Sequence, residues 1–280
     1  MRAAWFESFG SAQDVLQVGE KDTTEVGSGE VLVRMATSGI NPSDVKKRAG
    51  AFPDLLDLGC VIPNSDGAGV IEAVGKDVDE SRIGERVWVY QAQYERRFGT
   101  AAEFLAIDEC RAPRLSDGAT FEVGACMGIP AMTAHRCVFA DGAVTGQTVL
   151  VTGGAGRVGH YAVQWAGQAG ATVIASASNN EDRAACVEAG AAHVVNHRDD
   201  DFANQVLAAT GGALVDRIVD VEFGANLATS IADINEALSA DTLQHRIAHT
   251  LPLEEIAKGN ELIEHGATRG AVVLTIDPEL

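Results

Sequence analysis

Three glycines, Gly154, Gly156 and Gly159, form the pattern G-x-G-x-x-G within the stretch TVLVTGGAGRVGH. The stretch passes from an apolar, strand-like run into a helical one, and in that context the pattern is typical of dinucleotide binding. The first glycine permits a sharp turn, the second lets the backbone approach a pyrophosphate, and the third lets helix and strand pack closely. The pyrophosphate would then lie at the positive N-terminus of the helix. A glycine turn with a purely structural role is the alternative.

The next apolar run, residues 172–176, ends without the acidic side chain that NAD sites usually place there. In those sites an Asp or Glu binds the ribose 2′-hydroxyl. Here Ser176 and Ser178 leave room for a 2′-phosphate and can donate hydrogen bonds to it. Arg183 follows on the next helix and His197 follows the third strand. Because arginine forms charge-assisted hydrogen bonds with phosphate, this strand end favours NADPH over NADH.

A surface ion pair is the alternative for Arg183, because Glu181, Asp182 and the acidic residues 199–201 lie near it along the chain. NADPH is nonetheless the predicted cofactor. The predicted cofactor-binding residues are Gly153, Gly154, Ala155, Gly156, Arg157, Val158, Gly159, Ser176, Ser178, Arg183, His197 and Val221.

Alternating strands and helices surround this loop. The predicted strands are 148–152, 172–176, 193–195 and 215–219, and the predicted helices are 158–169, 181–189 and 201–209. Such alternation predicts a parallel, doubly wound sheet. The first half differs, because short apolar runs bounded by glycine indicate a compact, glycine-rich barrel. Those runs are 29–40, 66–75, 84–90 and 98–108, and a helix at 252–266 and a strand at 271–276 follow near the end.

Composition narrows the classes of function. The 280 residues carry 21 basic and 40 acidic side chains, a net charge of −19, which argues against unspecific binding to nucleic acid or anionic membranes. No apolar run approaches the roughly 20 residues of a membrane span, and the N-terminus lacks the apolar core of a signal peptide. Five widely spaced cysteines suggest neither a disulfide framework nor a clustered metal site. A cytoplasmic protein is therefore expected.

Six stretches carry a family resemblance, and in chain order they are GINPSDVKKRAG, IPNSDGAGVIEAVG, IGERVWVY, MGIPAMTAHRCVF, VTGGAGRVG and ELIEHGATRGAVVLTI. Together they resemble the zinc-free quinone oxidoreductases of the medium-chain dehydrogenase/reductase superfamily, in particular the zeta-crystallin-like branch. The resemblance covers nearly the whole chain. It implies an α/β protein with a GroES-like catalytic domain, residues 1–117 completed by 252–280, and a Rossmann nucleotide-binding domain, residues 118–251. It also implies hydride transfer from NADPH to a quinone or related conjugated carbonyl compound, and a homodimer.

The resemblance also assigns two catalytic residues. The Asn of the NP.D motif lines the nicotinamide side of the cleft in this family, which corresponds to Asn41, and the Thr of G.PA.TA lies near the same ring, which corresponds to Thr133. A turn-forming Asn before proline and a helical Thr bonded to its own backbone are the alternatives. Lys46 and Phe52 stand where many members have tyrosines. This departure puts the preference for quinones in doubt, but not the hydride transfer.

The resemblance points to chemistry without a metal. Zinc-using relatives place a Cys early in the chain and a His–Glu pair where this sequence has Asn64, Ser65 and Asp66. Zinc would need converging Cys, His or carboxylate ligands. The sequence shows no such spacing for four of its histidines, His135, His160, His193 and His197.

A part of the family pattern is missing. The resemblance places two further strands and their loops, roughly 40 residues, after the strand ending at Val219, but Ser230 runs straight into Ile231. The sequence omits residues that the protein has, or the deletion is real, or the chain was cut. The first explanation is favoured because a deletion would expose an apolar sheet edge.

Three functions remain open at this stage. The first is an NADPH-dependent quinone reductase, and the second is an alkenal or enone reductase that acts on a C=C bond beside a carbonyl. The third is a nucleotide-binding or structural protein without catalysis. The intact glycine loop with Asn41 and Thr133 argues against the third.

Overall fold

The computed structural model describes residues 1–57, 59–219, 234–266 and 268–280. Val221 and the junction of Ser230 with Ile231 lie outside these residues, so the predictions about them are untested. The chain divides into two compact units. The first unit contains residues 1–129, 238–240 and 245–280, and the second contains residues 130–237 and 241–244.

The regular elements follow the predicted order closely. The strands are β1 (Arg2–Trp5), β2 (Gln17–Glu20), β3 (Glu30–Ile40), β4 (Asp66–Val74), β5 (Arg86–Val89), β6 (Phe104–Asp108), β7 (Thr148–Val151), β8 (Thr172–Ser176), β9 (His193–Val195), β10 (Arg217–Val219), β11 (Ile247–Pro252) and β12 (Ala271–Thr275). The α-helices are α1 (Ala12–Val15), α2 (Pro42–Arg48), α3 (Phe121–Gly124), α4 (Thr133–Phe139), α5 (Arg157–Gln168), α6 (Asn180–Glu188), α7 (Phe202–Ala209) and α8 (Ile256–Glu264).

The first unit is built on a six-stranded sheet. Its order is β11-β12-β3-β4-β5, with β6 paired to β3, and a separate two-stranded sheet joins β1 to β2. All of these pairs are antiparallel except β11 with β12. The long strand β3 carries the core, because alternate side chains such as Val31, Val33 and Met35 are fully buried. Leu105 of β6 and Leu274 of β12, two of the three strands that pair with β3, pack into the same cluster.

The second unit holds a parallel sheet in the order β10-β7-β8-β9. Helices α5, α6 and α7 connect successive strands, so the order and connections are those of a doubly wound sheet. The strands are rich in β-branched residues because parallel strands are covered on both faces. Leu150, Ile174, Val195 and Val206 form one side of the core. Within the described residues β10 is an edge strand.

For the segment that joins the two sheets along the chain, the sequence predicts helical stretches with Asp117 as a cap and Pro130 as a break. In the structure Thr120 caps α3 through a hydrogen bond from the Val123 N–H. Pro130 lies inside a π-helical turn over Met127–Met132 that leads directly into α4. The wider turn tolerates the missing proline N–H, so the helix is deformed rather than ended.

The second unit begins at Pro130. The chain returns to the first unit at His245 because β11, which begins at Ile247, pairs with β12. The domain boundaries 117/118 and 251/252 stay predictions.

Candidate functional site

The glycine loop of the second unit follows β7 and is held by the end of β8. Gly153 has a φ of +59°, in the left-handed region that suits glycine, and its N–H donates to Ser176 Oγ at 2.9 Å. The Gly154 N–H donates to the Ser176 carbonyl oxygen at 3.0 Å, and the Gly156 N–H donates to the Gly153 carbonyl oxygen at 2.8 Å. Three hydrogen bonds therefore fix the loop before α5 begins at Arg157.

The three glycines of the motif meet different surroundings. A Cβ on Gly154 would lie 2.7 Å from Ala175 Cβ and 2.9 Å from Cys186 Sγ, and a Cβ on Gly159 would overlap the Gly153 carbonyl oxygen. These two glycines are needed for close packing of the loop, strand and helix. Among the described residues, a Cβ on Gly156 would meet only the Gly153 carbonyl oxygen, at 3.0 Å. Gly156 therefore presents its backbone to open space, as an approaching pyrophosphate requires.

The N-terminus of α5 offers an anion site. Gly156 is the N-cap residue, and among the described residues no side chain caps the helix there. The first N–H groups of a helix have no partner within the helix, and they carry its positive dipole end. Arg157 and Val158 are half-buried at this end, and Ala155 is buried beneath it. The loop thus fits a dinucleotide pyrophosphate, although the fit alone does not choose between cofactors.

The residues predicted to hold a 2′-phosphate differ in their exposure to solvent. Ser176 is buried, and its Oγ accepts the Gly153 N–H, so it holds the loop, and its role toward the cofactor stays a prediction. Ser178 is half-buried, and Arg183 and His197 are exposed. Within the described residues Arg183 forms no ion pair, so the predicted alternative of pairing with Glu181 or Asp182 does not occur there.

In the first unit, Asn41 lies at the centre of a buried polar cluster. It begins α2 as the N-cap residue, and it is 3% exposed. Its backbone N–H donates to Asp44 Oδ2 at 2.8 Å, and its Nδ2 donates to Asp66 Oδ2 at 2.7 Å. The same Asp66 oxygen accepts the Ile129 N–H at 2.8 Å. The side chain and the backbone of Asn41 are therefore held by two different carboxyl groups.

The cluster has unusual electrostatics. Burial raises the pKa of Asp66 to about 8, and Asp44 adds to the increase, whereas the hydrogen bonds from Ile129 and Asn41 and the charge of Lys47 oppose it. Burial lowers the pKa of Lys47, against the effect of the two carboxyl groups. Lys47 Nζ lies 3.4 Å from both Ser65 Oγ and Gln93 Oε1.

A chain of buried hydrogen bonds supports the strand that carries Asp66. Asn64, with a φ of +75°, donates through Nδ2 to Ser38 Oγ at 2.9 Å. Ser38 Oγ lies 2.7 Å from Thr100 Oγ1, which donates to the Asp66 carbonyl oxygen at 2.6 Å. The sequence analysis treated Asn64, Ser65 and Asp66 only as positions without zinc ligands and missed this network. The available signal was an acidic residue at the start of an otherwise apolar strand.

Thr133 begins α4 in the second unit. It is 3% exposed, and its Oγ1 has no hydrogen-bond partner among the described residues. A buried hydroxyl without a partner is costly. Thr133 Oγ1 is therefore suited to a ligand group, and its catalytic role stays a prediction.

Metal ligands do not converge in the described part of the chain, where no group of three or more His, Cys, Asp or Glu side chains is placed to hold a metal ion. All five cysteines are free thiols. None of the described helices combines the length and the apolar character that a membrane span requires.

Comparison with known proteins identifies relatives. The zinc-binding dehydrogenase family matches residues 158–236. The rat quinone oxidoreductase is 32% identical over 206 residues, which are 73% of this chain and 61% of the relative. The mouse quinone oxidoreductase is 35% identical over 69% of this chain and 57% of the relative. An alcohol dehydrogenase of Geobacillus stearothermophilus is 30% identical over 76% and 68%, respectively. The chain thus spans about three fifths of the length of the quinone oxidoreductases it matches.

Solved structures confirm the fold. An NAD-dependent alcohol dehydrogenase superposes with a TM-score of 0.86 at 23% identity, covering 99% of this chain and 100% of the other. The Escherichia coli quinone oxidoreductase, solved as a complex with NADPH, gives 0.85 at 20% identity with the same coverage. The predicted combination of a GroES-like unit and a Rossmann unit is therefore correct.

Proposed function

Because the chain belongs to the quinone oxidoreductases of the medium-chain dehydrogenase/reductase superfamily, we propose that it reduces quinones by hydride transfer from NADPH. The observation that carries the proposal is the loop 153–159, which presents the uncapped N-terminus of α5 beside a strand that ends without an acidic side chain. The second unit is then the nucleotide-binding domain, and the first is the catalytic one.

The choice of NADPH rests on the surroundings of the β8 end. An exposed Arg183 without an ion pair among the described residues, together with Ser178 and His197, suits the additional phosphate. The Escherichia coli relative was solved with NADPH, which agrees with this choice.

The nicotinamide, when bound, supplies the hydride. The N-terminal amides of α5 would hold the pyrophosphate, and the hydroxyl of Thr133 and the amide of Asn41 would orient the reacting ring. The role of these residues is to hold donor and acceptor in a reactive geometry and to exclude water. Solvent supplies the proton that completes the reduction.

The reaction is proposed to proceed without a metal. Asn64 and Ser65 offer no strong zinc ligand, and Asp66 is already engaged by two hydrogen-bond donors. Treatment with a chelator, followed by metal analysis, should leave the rate of NADPH oxidation unchanged. A rate that falls with the zinc content and returns on adding zinc would contradict this part of the proposal.

An enone reductase is the second candidate, because Lys46 and the half-exposed Phe52 replace tyrosines of the quinone-reducing relatives. The deciding experiment is NADPH oxidation with a panel of quinones and enones, with product analysis, using the wild type and Asn41→Ala. Quinone-dependent oxidation that Asn41→Ala weakens is expected. Turnover of enones alone would favour the second candidate, and NADPH binding without turnover of any acceptor would indicate a non-catalytic protein.

A cytoplasmic location and a homodimer complete the proposal, and both rest on the family. Light scattering tests the assembly, and a monomeric mass would contradict the dimer.

A further inference from the structure

We propose that Asp66 is a positioning residue for Asn41: its Oδ2, which accepts hydrogen bonds from Asn41 Nδ2 and the Ile129 N–H, fixes the Asn41 side chain in the orientation that hydride transfer uses. This inference rests on the proposed function, because Asn41 is there placed beside the reacting ring. Asp66 itself does not touch the substrate or the cofactor in this scheme.

The geometry holds the Asp66 carboxyl group in one place. Asp66 pairs with Gly39 across β3 and β4, and its carbonyl oxygen accepts the Thr100 hydroxyl. Its side chain is fully buried, and a Cβ on Gly128 would overlap its Oδ1. The glycine at position 128 therefore makes the room that the carboxyl group occupies.

Asn41 depends on this carboxyl group for its side-chain orientation. An asparagine amide rotates about a broad torsion, so that packing alone defines it poorly. The backbone of Asn41 is fixed separately by Asp44 Oδ2, at 2.8 Å. Removal of the Asp66 hydrogen bond would therefore free the amide while leaving the start of α2 in place.

The acidic proton has a defined position. Since Oδ2 accepts two N–H donors, the proton of the neutral form lies on Oδ1, which has no hydrogen-bond partner among the described residues. The charged groups that face Asp66 are Asp44 and Lys47, both from α2, and the segment 127–132 contributes only backbone and uncharged side chains. Ionisation of Asp66 would strengthen the hydrogen bond from Asn41 Nδ2, because a carboxylate is the better acceptor.

The test observes the Asn41 side-chain amide directly by ¹H–¹⁵N NMR, with its signals identified by their loss in Asn41→Ala. In the wild type these signals should shift as pH rises from 6 to 10, with a midpoint close to 8. In Asp66→Ala, which removes the acceptor, the signals should move from their wild-type position and lose this pH dependence. Asp66→Asn, whose amide oxygen can still accept from Asn41 Nδ2, should lose only the pH dependence. Asp54→Asn is the matched control, because Asp54 is an exposed acidic residue of the same unit. This variant should leave the position and the pH dependence of the Asn41 signals unchanged.

Activity gives the second readout. Asp66→Ala should lower kcat roughly tenfold to a hundredfold, the cost typical of a misplaced reactive group, while the KM for NADPH changes less than about threefold. Asn41 signals with wild-type position and pH dependence in Asp66→Ala would overturn the inference. An unchanged kcat would do the same. A wild type that oxidises no NADPH with any acceptor refutes the proposed function instead, and the NMR result still decides whether Asp66 positions Asn41.

Two other variants keep the inference testable if Asp66→Ala fails to fold. Lys47→Met removes a cation that lowers the pKa of Asp66, so the NMR midpoint should rise. Gly128→Ala pushes against Oδ1 and should displace the Asn41 signals. Asn41 signals that are indifferent to both changes would overturn the inference.

Discussion

At the scale of single residues, Gly156 and Gly159 belong to one motif but have different roles. The Gly156→Asp variant should still fold. Among the described residues its new Cβ would contact only the Gly153 carbonyl oxygen, and aspartate is a favourable N-cap residue. Its carboxylate would occupy the place of the pyrophosphate, so NADPH affinity should fall at least about a hundredfold, the factor of roughly 2.7 kcal/mol. Thermal melting and NADPH titration measure the two effects. Unchanged affinity would refute the assigned loop.

Gly159→Ala is the contrasting variant. Its Cβ would overlap the Gly153 carbonyl oxygen, so the loop or α5 must shift, at a cost of roughly 1–3 kcal/mol of unfolding free energy. A melting temperature equal to that of the wild type would show that the helix is not packed as closely as the structure indicates.

Arg183 is the residue that should distinguish the cofactors. Because NADH lacks the 2′-phosphate, Arg183→Ala should weaken NADPH binding roughly tenfold, as expected for loss of one charge-assisted contact, and should leave NADH binding nearly unchanged. NADH is the internal control in this titration. Equal losses for both cofactors would mean that Arg183 acts on the structure and not on the phosphate.

At the scale of elements, α5 is bound to the extended segment 242–244 by glutamine side chains. The buried Gln164 accepts the Gln244 N–H at 2.6 Å and donates to the Gln244 carbonyl oxygen at 3.1 Å. Gln164→Leu would leave the Gln244 N–H without its partner, whereas the Gln244 carbonyl oxygen keeps His160 Nε2 at 3.1 Å. Loss of the partner of one buried backbone donor costs about 1–3 kcal/mol. Urea unfolding measures the loss.

Gln168 provides the matched control for this helix. It is exposed and forms one hydrogen bond, to the Thr242 carbonyl oxygen at 2.7 Å. Water can replace that bond, so Gln168→Leu should cost less than about 0.5 kcal/mol. Equal losses for the two variants would contradict the importance assigned to Gln164.

At the scale of the whole molecule, stability should decline as pH rises from about 4 to about 8. The unfolded Asp66 carboxyl group ionises near its ordinary pKa of about 4, whereas the folded one stays protonated up to about 8. Over this interval the folded state binds the additional proton, so the free energy of unfolding decreases with pH and levels off above 8. Repulsion within a chain of net charge −19 acts in the same direction.

Asp66→Asn separates these two effects, because it removes the titrating group and changes the net charge little. The stability of the wild type relative to this variant should fall with pH, by at most about 1.4 kcal/mol per pH unit. Chemical unfolding at pH 5, 7 and 9 measures the difference. Parallel pH profiles for the two proteins would contradict the raised pKa.

The sequence alone determined the structural features that depend on neighbouring residues of the chain. The glycine spacing identified the loop, the alternation of strand and helix gave the doubly wound sheet, and the third strand was predicted at its observed bounds, His193–Val195. Such features depend on local backbone preferences and on side-chain periods of two and 3.6 residues, which can be recognised without knowing what packs against them.

Only the tertiary structure decided which distant residues meet. Asn41 and Asp66 are 25 positions apart, and they come together because Asp66 pairs with Gly39 in the sheet and Asn41 follows directly after β3. Ser176 has a hydroxyl that suits a phosphate, yet burial turned it toward the Gly153 N–H. Sheet register and burial are set by the whole packed unit, because a shift of one residue would send each side chain to the other face. The local sequence around Asp66 or Ser176 therefore does not contain this information.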